Sequence, residues 1–466
     1  PNAFRSDKTT FMRESKGKLR GDEMKKEGYG YMEIHQLTTV DGHNLLPQMK
    51  YVQPDDGNKH DMTLAKVRLP YYVEPGTKLK IQMDFSVKLP YVFARMGYAE
   101  DFVMAGQWFP KIAVYEPAGT RGRKEEGWNI HQYHGNSEFY SDFGIYSVQI
   151  QVPKSYTVAA TGFPAKSPAV IGQTKMYHFY ADDVHDFAWA ASPHFVYFEE
   201  PFSTPHIPGV KLKLYLDPKH RHLKDRYFYT AKKALARFAE WYGPYPYTTL
   251  SIVVPPSGGR GAGGMEYPML ITAWEASDEQ PGTELERVVV HEIGHQFWYG
   301  MVASNEFEEA WLDEGLTSYA EEQVMISEFG IEPNLLIESS YITSPAPLYL
   351  PSWEYKNHGH YADNVYTRAK LVLFDIEGQI GEKQMKKVLR TYFQRWKFKH
   401  PSTKDFQKTL EEVTGKSWGD YFQRYVYGGM MMDYAVESIR SIPVSLESGA
   451  KAYEHTIRLR NTPQSL

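Results

Sequence analysis

At Asp217-Pro218 the hydrophobic rhythm of this chain changes, and that change constrains its fold more than any other feature. Before it, apolar residues alternate. Leu79, Ile81, Met83, Phe85, Val87 and Leu89 are interleaved with Lys80, Gln82, Asp84 and Lys88, the period of a strand with one wet face. Val148, Ile150 and Val152 repeat the pattern up to Pro153, as do Val210, Leu212, Leu214 and Leu216. Glu74-Pro75-Gly76 and Gly162-Phe163-Pro164 separate such runs, and the charged, glycine-containing stretch 119–127 reads as a surface loop. After the change, Leu223, Tyr227, Ala231, Leu235, Phe238 and Tyr242 recur at helical spacing until Gly243-Pro244 stops them. A short strand over 247–254 and a loop over 255–264 follow. Helices are then expected at about 284–300, 305–328, 362–380, 382–397 and 403–414, with Ser402 and Asp405 capping the last. Beyond Gly428-Gly429 the pattern turns β-like again, notably over 445–459.

A chain of 466 residues exceeds what one core supports. The expected architecture is multidomain: an N-terminal antiparallel β-sandwich-like domain over 1–205, incomplete; an α/β and α-helical catalytic domain over 206–432; and the start of a C-terminal β domain over 433–466. Net charge of -5 offers no basic field for nucleic acid. No stretch approaches the roughly 20 apolar residues of a transmembrane helix. Cysteine is absent, so any metal must be held by His, Asp or Glu. The chain begins at Pro1 without a signal pattern and stops at Leu466 without a capped element. Both ends read as cut, the mark of a processed piece, and an exported or periplasmic location is favoured. Oligomeric state is not legible.

The chemistry concentrates in His291-Glu292-Ile293-Gly294-His295, placed on a helix by the apolar residues around it. Two imidazoles at i and i+4 share a helix face and can reach one zinc ion with bonds of about 2.0–2.1 Å. Glu292 projects beside them as the base for an activated water. A catalytic zinc needs a third protein ligand, and Glu314 in Trp311-Leu312-Asp313-Glu314-Gly315 follows His295 after eighteen intervening residues, enough for a turn and a returning helix. Glu309 is either a partner that orients a ligand histidine or a surface acid.

These residues resemble the gluzincin zinc aminopeptidases of the aminopeptidase N and leukotriene hydrolase type. Gly263-Gly264-Met265-Glu266-Tyr267, about 25 residues ahead of the histidine motif, is similar to that family's exopeptidase signature, with Gly and Tyr267 where Ala and Asn are usual. The resemblance implies a thermolysin-like catalytic domain, one zinc ion, and Glu266 as the anchor for a substrate's free α-amino group. Releasing one residue per cut needs such an acidic anchor. The glycines ahead of Glu266 let backbone pair with an extended peptide. The resemblance also implies a tyrosine donor to the oxyanion. Tyr366, in Val365-Tyr366-Thr367-Arg368-Ala369-Lys370, fits that segment with Arg for Lys and Ala for Gly; Tyr361 is the rival, and either could simply pack. Gln107 in Gly106-Gln107-Trp108-Phe109-Pro110 matches the family's substrate-binding glutamine, or is a buried structural residue. The expected activity is hydrolysis of the N-terminal bond of peptides with a free N-terminus. An endopeptidase or small-molecule hydrolase on the same scaffold, and a non-catalytic scaffold, are the competing readings.

Overall fold

In the computed structural model, residues 1–136, 138–276, 282–431, 434–445 and 451–461 are described. Of the expected C-terminal segment, residues 433, 446–450 and 462–466 lie outside them.

The alternating sequence forms β-sheet as its period requires. Ile81–Lys88 pairs antiparallel with Tyr31–Thr39. Gly144–Pro153 pairs with Thr174–Val184, which carries Phe163–Ile171 on its other edge. A further antiparallel sheet joins Thr157–Ala160, Trp189–Ser192, Phe102–Ala105 and Gly97–Ala99. Downstream, a mixed four-stranded sheet runs in the order Val196–Thr204, Ile207–Leu216, Thr249–Val254, Leu270–Thr272. Its first pair is an antiparallel hairpin and the other pairings are parallel. The division expected between residues 205 and 206 thus falls in the turn of a hairpin that belongs to one sheet.

Helices follow. Lys224–Trp241 buries Leu235 and Phe238 in the same core as Leu212, Leu214, Leu250 and Ile252 of the mixed sheet. At about 1.5–3 kcal/mol for each fully buried large apolar side chain, this core is the main reason the helix docks. Glu284–Gly294, Trp311–Val324, Ala369–Ile380, Glu382–Trp396 and Thr403–Thr414 complete the helical part. Ser402 and Asp405 form the expected capping box. Strands Tyr434–Ser445 and Lys451–Asn461 pair as a hairpin at the end. The molecule is therefore a β-rich N-terminal region, a helical region carrying the motifs, and C-terminal strands. No helix among the described residues is long and apolar enough to cross a membrane.

Two expected helices began or ended elsewhere. The first motif helix stops at Gly294, with His295 as its C-cap, because Tyr299 takes a left-handed φ of 100° and Gly300 folds its amide back to the His295 carbonyl. Residues 305–310 form turns in which Asn305 Oδ1 accepts from the Phe307 and Glu308 amides, so the second motif helix starts only at Trp311.

Candidate active site

Close helix packing brings the motif residues together. Gly294 faces Thr317, and a Cβ built there would lie 3.0 Å from Thr317 Cγ2. Gly315 faces Ala369, with only 2.5 Å left for a Cβ. Each glycine adjoins a ligand candidate, His295 or Glu314, so backbones approach closely where the side chains must converge.

They do converge. His291 Nε2 and His295 Nε2 lie 3.1 Å apart, and Glu314 Oε2 is 3.3 Å from the first and 3.2 Å from the second. Three donor atoms at such separations surround a point about 2 Å from each, the bond length zinc forms with imidazole and carboxylate. Glu314 illustrates the electrostatics: burial alone pushes its carboxyl up, and the facing histidines more than reverse this, holding it well below the usual carboxylate range. Each imidazole is oriented from behind. His295 Nδ1 has Asp313 Oδ1 at 2.5 Å and Thr317 Oγ1 at 3.1 Å. His291 Nδ1 has Glu321 Oε2 at 3.1 Å, and Arg287 holds that carboxylate at 2.7 Å.

Glu292 is buried, and burial, opposed by His291, pushes its carboxyl up to about 8. Its Oε2 has no hydrogen-bond partner. Glu266 is similarly pushed up to about 7, first by burial and against the pull of His295, and leaves Oε1 unpartnered. Glu138 and Glu306, both buried, present carboxylate oxygens within 4.8 Å of Glu266. Arg95 pairs with Glu138, and Phe139 N donates to Glu306 at 2.7 Å. The chamber holds more buried carboxylate than fixed cation, an imbalance that one dication among the histidines and one ammonium beside Glu266 would correct. The residues present fit a zinc ion on donor type, number and spacing.

Gln296 ties the two motifs. Its amide donates to the Tyr267 carbonyl at 3.2 Å and accepts from Met269 N at 2.8 Å. Gly264 N and Met265 N both donate to the Thr272 carbonyl, so this segment extends beside the Leu270–Thr272 strand. Tyr366 lies in a π-helical turn, Asp363–Arg368, a local widening often found at functional sites. Its hydroxyl donates to Glu314 Oε1, and its ring stacks 6.0 Å from His291. Tyr361 is buried, with its hydroxyl unpartnered and its ring 6.1 Å from Tyr366. Gln107 donates its side-chain amide to Asp186, which also meets Lys111 at 3.1 Å. It borders the site through Gly106, against which the Tyr267 hydroxyl packs.

Glu309 takes neither of its expected roles. It is buried, accepts from Thr403 N at 2.8 Å and pairs with Arg121 at 2.5 Å. Arg121 comes from the stretch read as a surface loop and is buried between Glu116, Glu308 and Glu309. Asp313 and Glu321 orient the histidines instead. Glu321 could have been found from its spacing: it lies seven residues after Glu314 on one helix face, opposite Arg287, four residues before His291.

Comparison with known proteins follows the same lines. Residues 227–350 match the Peptidase family M1 domain. This is the family to which the sequence resemblance pointed, and the matched stretch holds Glu266, His291, Glu292, His295 and Glu314. Glutamyl aminopeptidase of Bos taurus is 26% identical over 227 residues, 44% of this chain and 23% of that protein. Aminopeptidase M1-A of Oryza sativa subsp. japonica is 23% identical over 296 residues, 58% of this chain and 33% of that protein. The matches thus span a third or less of these relatives. The fold is that of an M1 zinc metallopeptidase from Deinococcus radiodurans, with a TM-score of 0.61 at 17% identity over 86% of this chain and 85% of the other. Aminopeptidase A of Legionella pneumophila gives 0.66 at 14% identity, over 92% of this chain and 51% of the other.

Proposed function

We propose that this M1 domain is a zinc aminopeptidase that hydrolyses the N-terminal bond of peptides. One observation carries the proposal: the His291, His295 and Glu314 donor atoms lie within 3.3 Å of one another, in one chamber with the unpartnered carboxylate oxygens of Glu292 and Glu266. His291, His295 and Glu314 would hold one zinc ion. When bound, the ion supplies Lewis acidity and lowers the pKa of a coordinated water to about 7.

The chain's own groups do the rest. Glu266 takes the substrate ammonium, with Glu138 and Glu306 adding negative potential around it. The scissile carbonyl then lies one residue further, between Glu292 and Tyr366. Glu292 Oε2 accepts a proton as water oxygen bonds to the carbonyl carbon. Beside a bound dication, Glu292 would stay ionised despite its burial. Tyr366 donates its hydroxyl hydrogen bond to the oxyanion as negative charge develops there. As the C–N bond breaks, Glu292 returns the proton to the departing amine nitrogen. Gly263, Gly264 and Met265 provide the backbone along which the peptide lies. Gln107, engaged by Asp186, is assigned no contact with substrate.

The test compares free and N-acetylated peptides with the zinc-loaded protein and its Glu292→Gln and Glu266→Gln variants. The expected result is release of the first residue from free peptides only, loss of turnover with zinc retained in Glu292→Gln, and a raised KM in Glu266→Gln. Equal cleavage of acetylated peptides indicates an endopeptidase. No cleavage of any peptide by protein holding stoichiometric zinc refutes the enzymatic reading.

A further inference from the structure

The short strands Lys18–Leu19 and Asp22–Glu23 form a two-residue hairpin with Arg20 and Gly21 at its tip. Both have positive φ, 52° and 86°, as in a type I′ turn, which favours Asn, Asp or Gly. An arginine there is strained, and such strain persists where surrounding contacts fix it. Those contacts lie in the cleft. Arg20 Nη1 donates to the Gly264 carbonyl at 3.1 Å, and the Asp22 carboxylate packs against Gly261, where a Cβ would collide with it. The hairpin thus lies over the glycine segment on the side opposite Thr272.

Among the described residues no carboxylate forms an ion pair with Arg20. Its guanidinium meets the Gly264 carbonyl, and its charge couples to Tyr366, Glu138 and Glu314. Glu138 is held by Arg95, and Glu314 by two imidazoles. A guanidinium has five N–H donors, and one of them is used on Gly264. Arg20 keeps access to solvent, as a group awaiting a soluble ligand must.

Direction follows from the proposed function, on which this inference rests. With the ammonium at Glu266 and the carbonyl at the zinc ligands, residues beyond the scissile bond run along Gly264, two residues before Glu266. We propose that Arg20 recognises a carboxylate on the leaving portion of the substrate. That carboxylate belongs either to the C-terminus of a short peptide or to an acidic side chain following the cut. In both cases Arg20 binds substrate without entering the chemistry.

The test uses the zinc-loaded protein and its Arg20→Gln and Arg20→Lys variants with four substrates: Ala-Ala-Ala as free acid, the same peptide as its amide, Ala-Asp-Ala amide, and alanine p-nitroanilide. For the unaltered protein, a carboxylate is expected to improve kcat/KM by about 10-fold, the low end for a hydrogen bond to a charged group with solvent access. Arg20→Gln should abolish that preference through KM, Arg20→Lys should keep part of it, and the anilide should change less than about 2-fold in both. Loss confined to the free acid identifies the C-terminal carboxylate; loss confined to the aspartyl amide identifies the side chain. Acid-to-amide and aspartyl-to-alanyl amide ratios that are both unchanged in Arg20→Gln overturn the proposal. Calorimetric binding of the acid, amide and aspartyl amide peptides to Glu292→Gln, with and without Arg20→Gln, reads the same contact without turnover. If the protein cleaves nothing yet Arg20→Gln removes the binding preference, the functional reading fails and the Arg20 contact stands; if the preference survives, the Arg20 contact fails.

Discussion

Replacing Asp313 by Asn isolates one support of the metal site. Asp313 is fully buried, and its Oδ1 lies 2.5 Å from His295 Nδ1. Burial pushes its carboxyl well up, against the pull of His295, so an added cation nearby is the natural compensation. Loss of a group that orients a metal-bound imidazole typically lowers metal affinity 10–100-fold, or about 1.4–2.7 kcal/mol. Thr317 Oγ1 at 3.1 Å and the Trp298 carbonyl at 3.3 Å still face His295 Nδ1 in the variant and limit the loss. Glu321, the counterpart behind His291, keeps 14% exposure and is shared with Arg287, so Glu321→Gln should lose less, near 10-fold. Zinc affinity is read by competition with a chromogenic chelator at fixed pH and ionic strength. Metal-free Asp313→Asn should melt no lower than the unaltered protein, because an anion buried without its cation is itself unfavourable. A zinc Kd unchanged within about 3-fold, or a larger loss in Glu321→Gln than in Asp313→Asn, would mean that Asp313 does not support His295 at the metal site.

Three further outcomes are expected. Tyr366→Phe should lower kcat by about 10²–10³-fold, some 2.7–4 kcal/mol in the barrier, with zinc content intact; an unchanged kcat removes Tyr366 from the chemistry. Gly315→Ala places a methyl 2.5 Å from Ala369 Cβ, so it should destabilise by about 1–3 kcal/mol and weaken zinc binding by displacing Glu314, both read against denaturant and chelator. His134 lies between Glu14 at 2.8 Å and Asp55 at 2.9 Å; burial lowers its pKa, and these carboxylates more than reverse that, to about 9 from an ordinary 6.5. Its stabilisation, up to about 3 kcal/mol, is present below pH 6.5 and lost as pH rises through 9, so unfolding free energy should fall across that window and His134→Gln should flatten the fall.

The period change at Asp217-Pro218 made the fold class legible, since a two-residue rhythm admits only strands and a 3.6-residue rhythm only helices. The convergence of His291, His295 and Glu314 was legible for a similar reason: helix geometry alone puts His291 and His295 on one face, and the eighteen-residue gap leaves room for Glu314 to return. What surrounds the ligands depends on distant pairings that spacing does not carry. Arg121 meets Glu309 across 188 residues, so one side chain of a surface stretch turned out to be enclosed among carboxylates. The Lys18–Glu23 hairpin has strands of two residues, too short to show alternation, and Arg20 reaches Gly264 across 244 residues. The early end of the Glu284–Gly294 helix rests on the left-handed backbone at Tyr299, which an aromatic residue rarely adopts and its identity does not announce. Asp313 adjoins Glu314 in sequence, yet which of the two faces the His291 and His295 Nε2 atoms and which the back of His295 is decided by helix packing.

The central claim is that two imidazoles and one carboxylate hold a single zinc ion. An anomalous difference map at the zinc absorption edge, from crystals grown with zinc present, tests it most directly. One peak per chain is expected, about 2.0–2.2 Å from His291 Nε2, His295 Nε2 and a Glu314 oxygen. A map with no peak among these three atoms, or with its strongest peak on other residues, would contradict it.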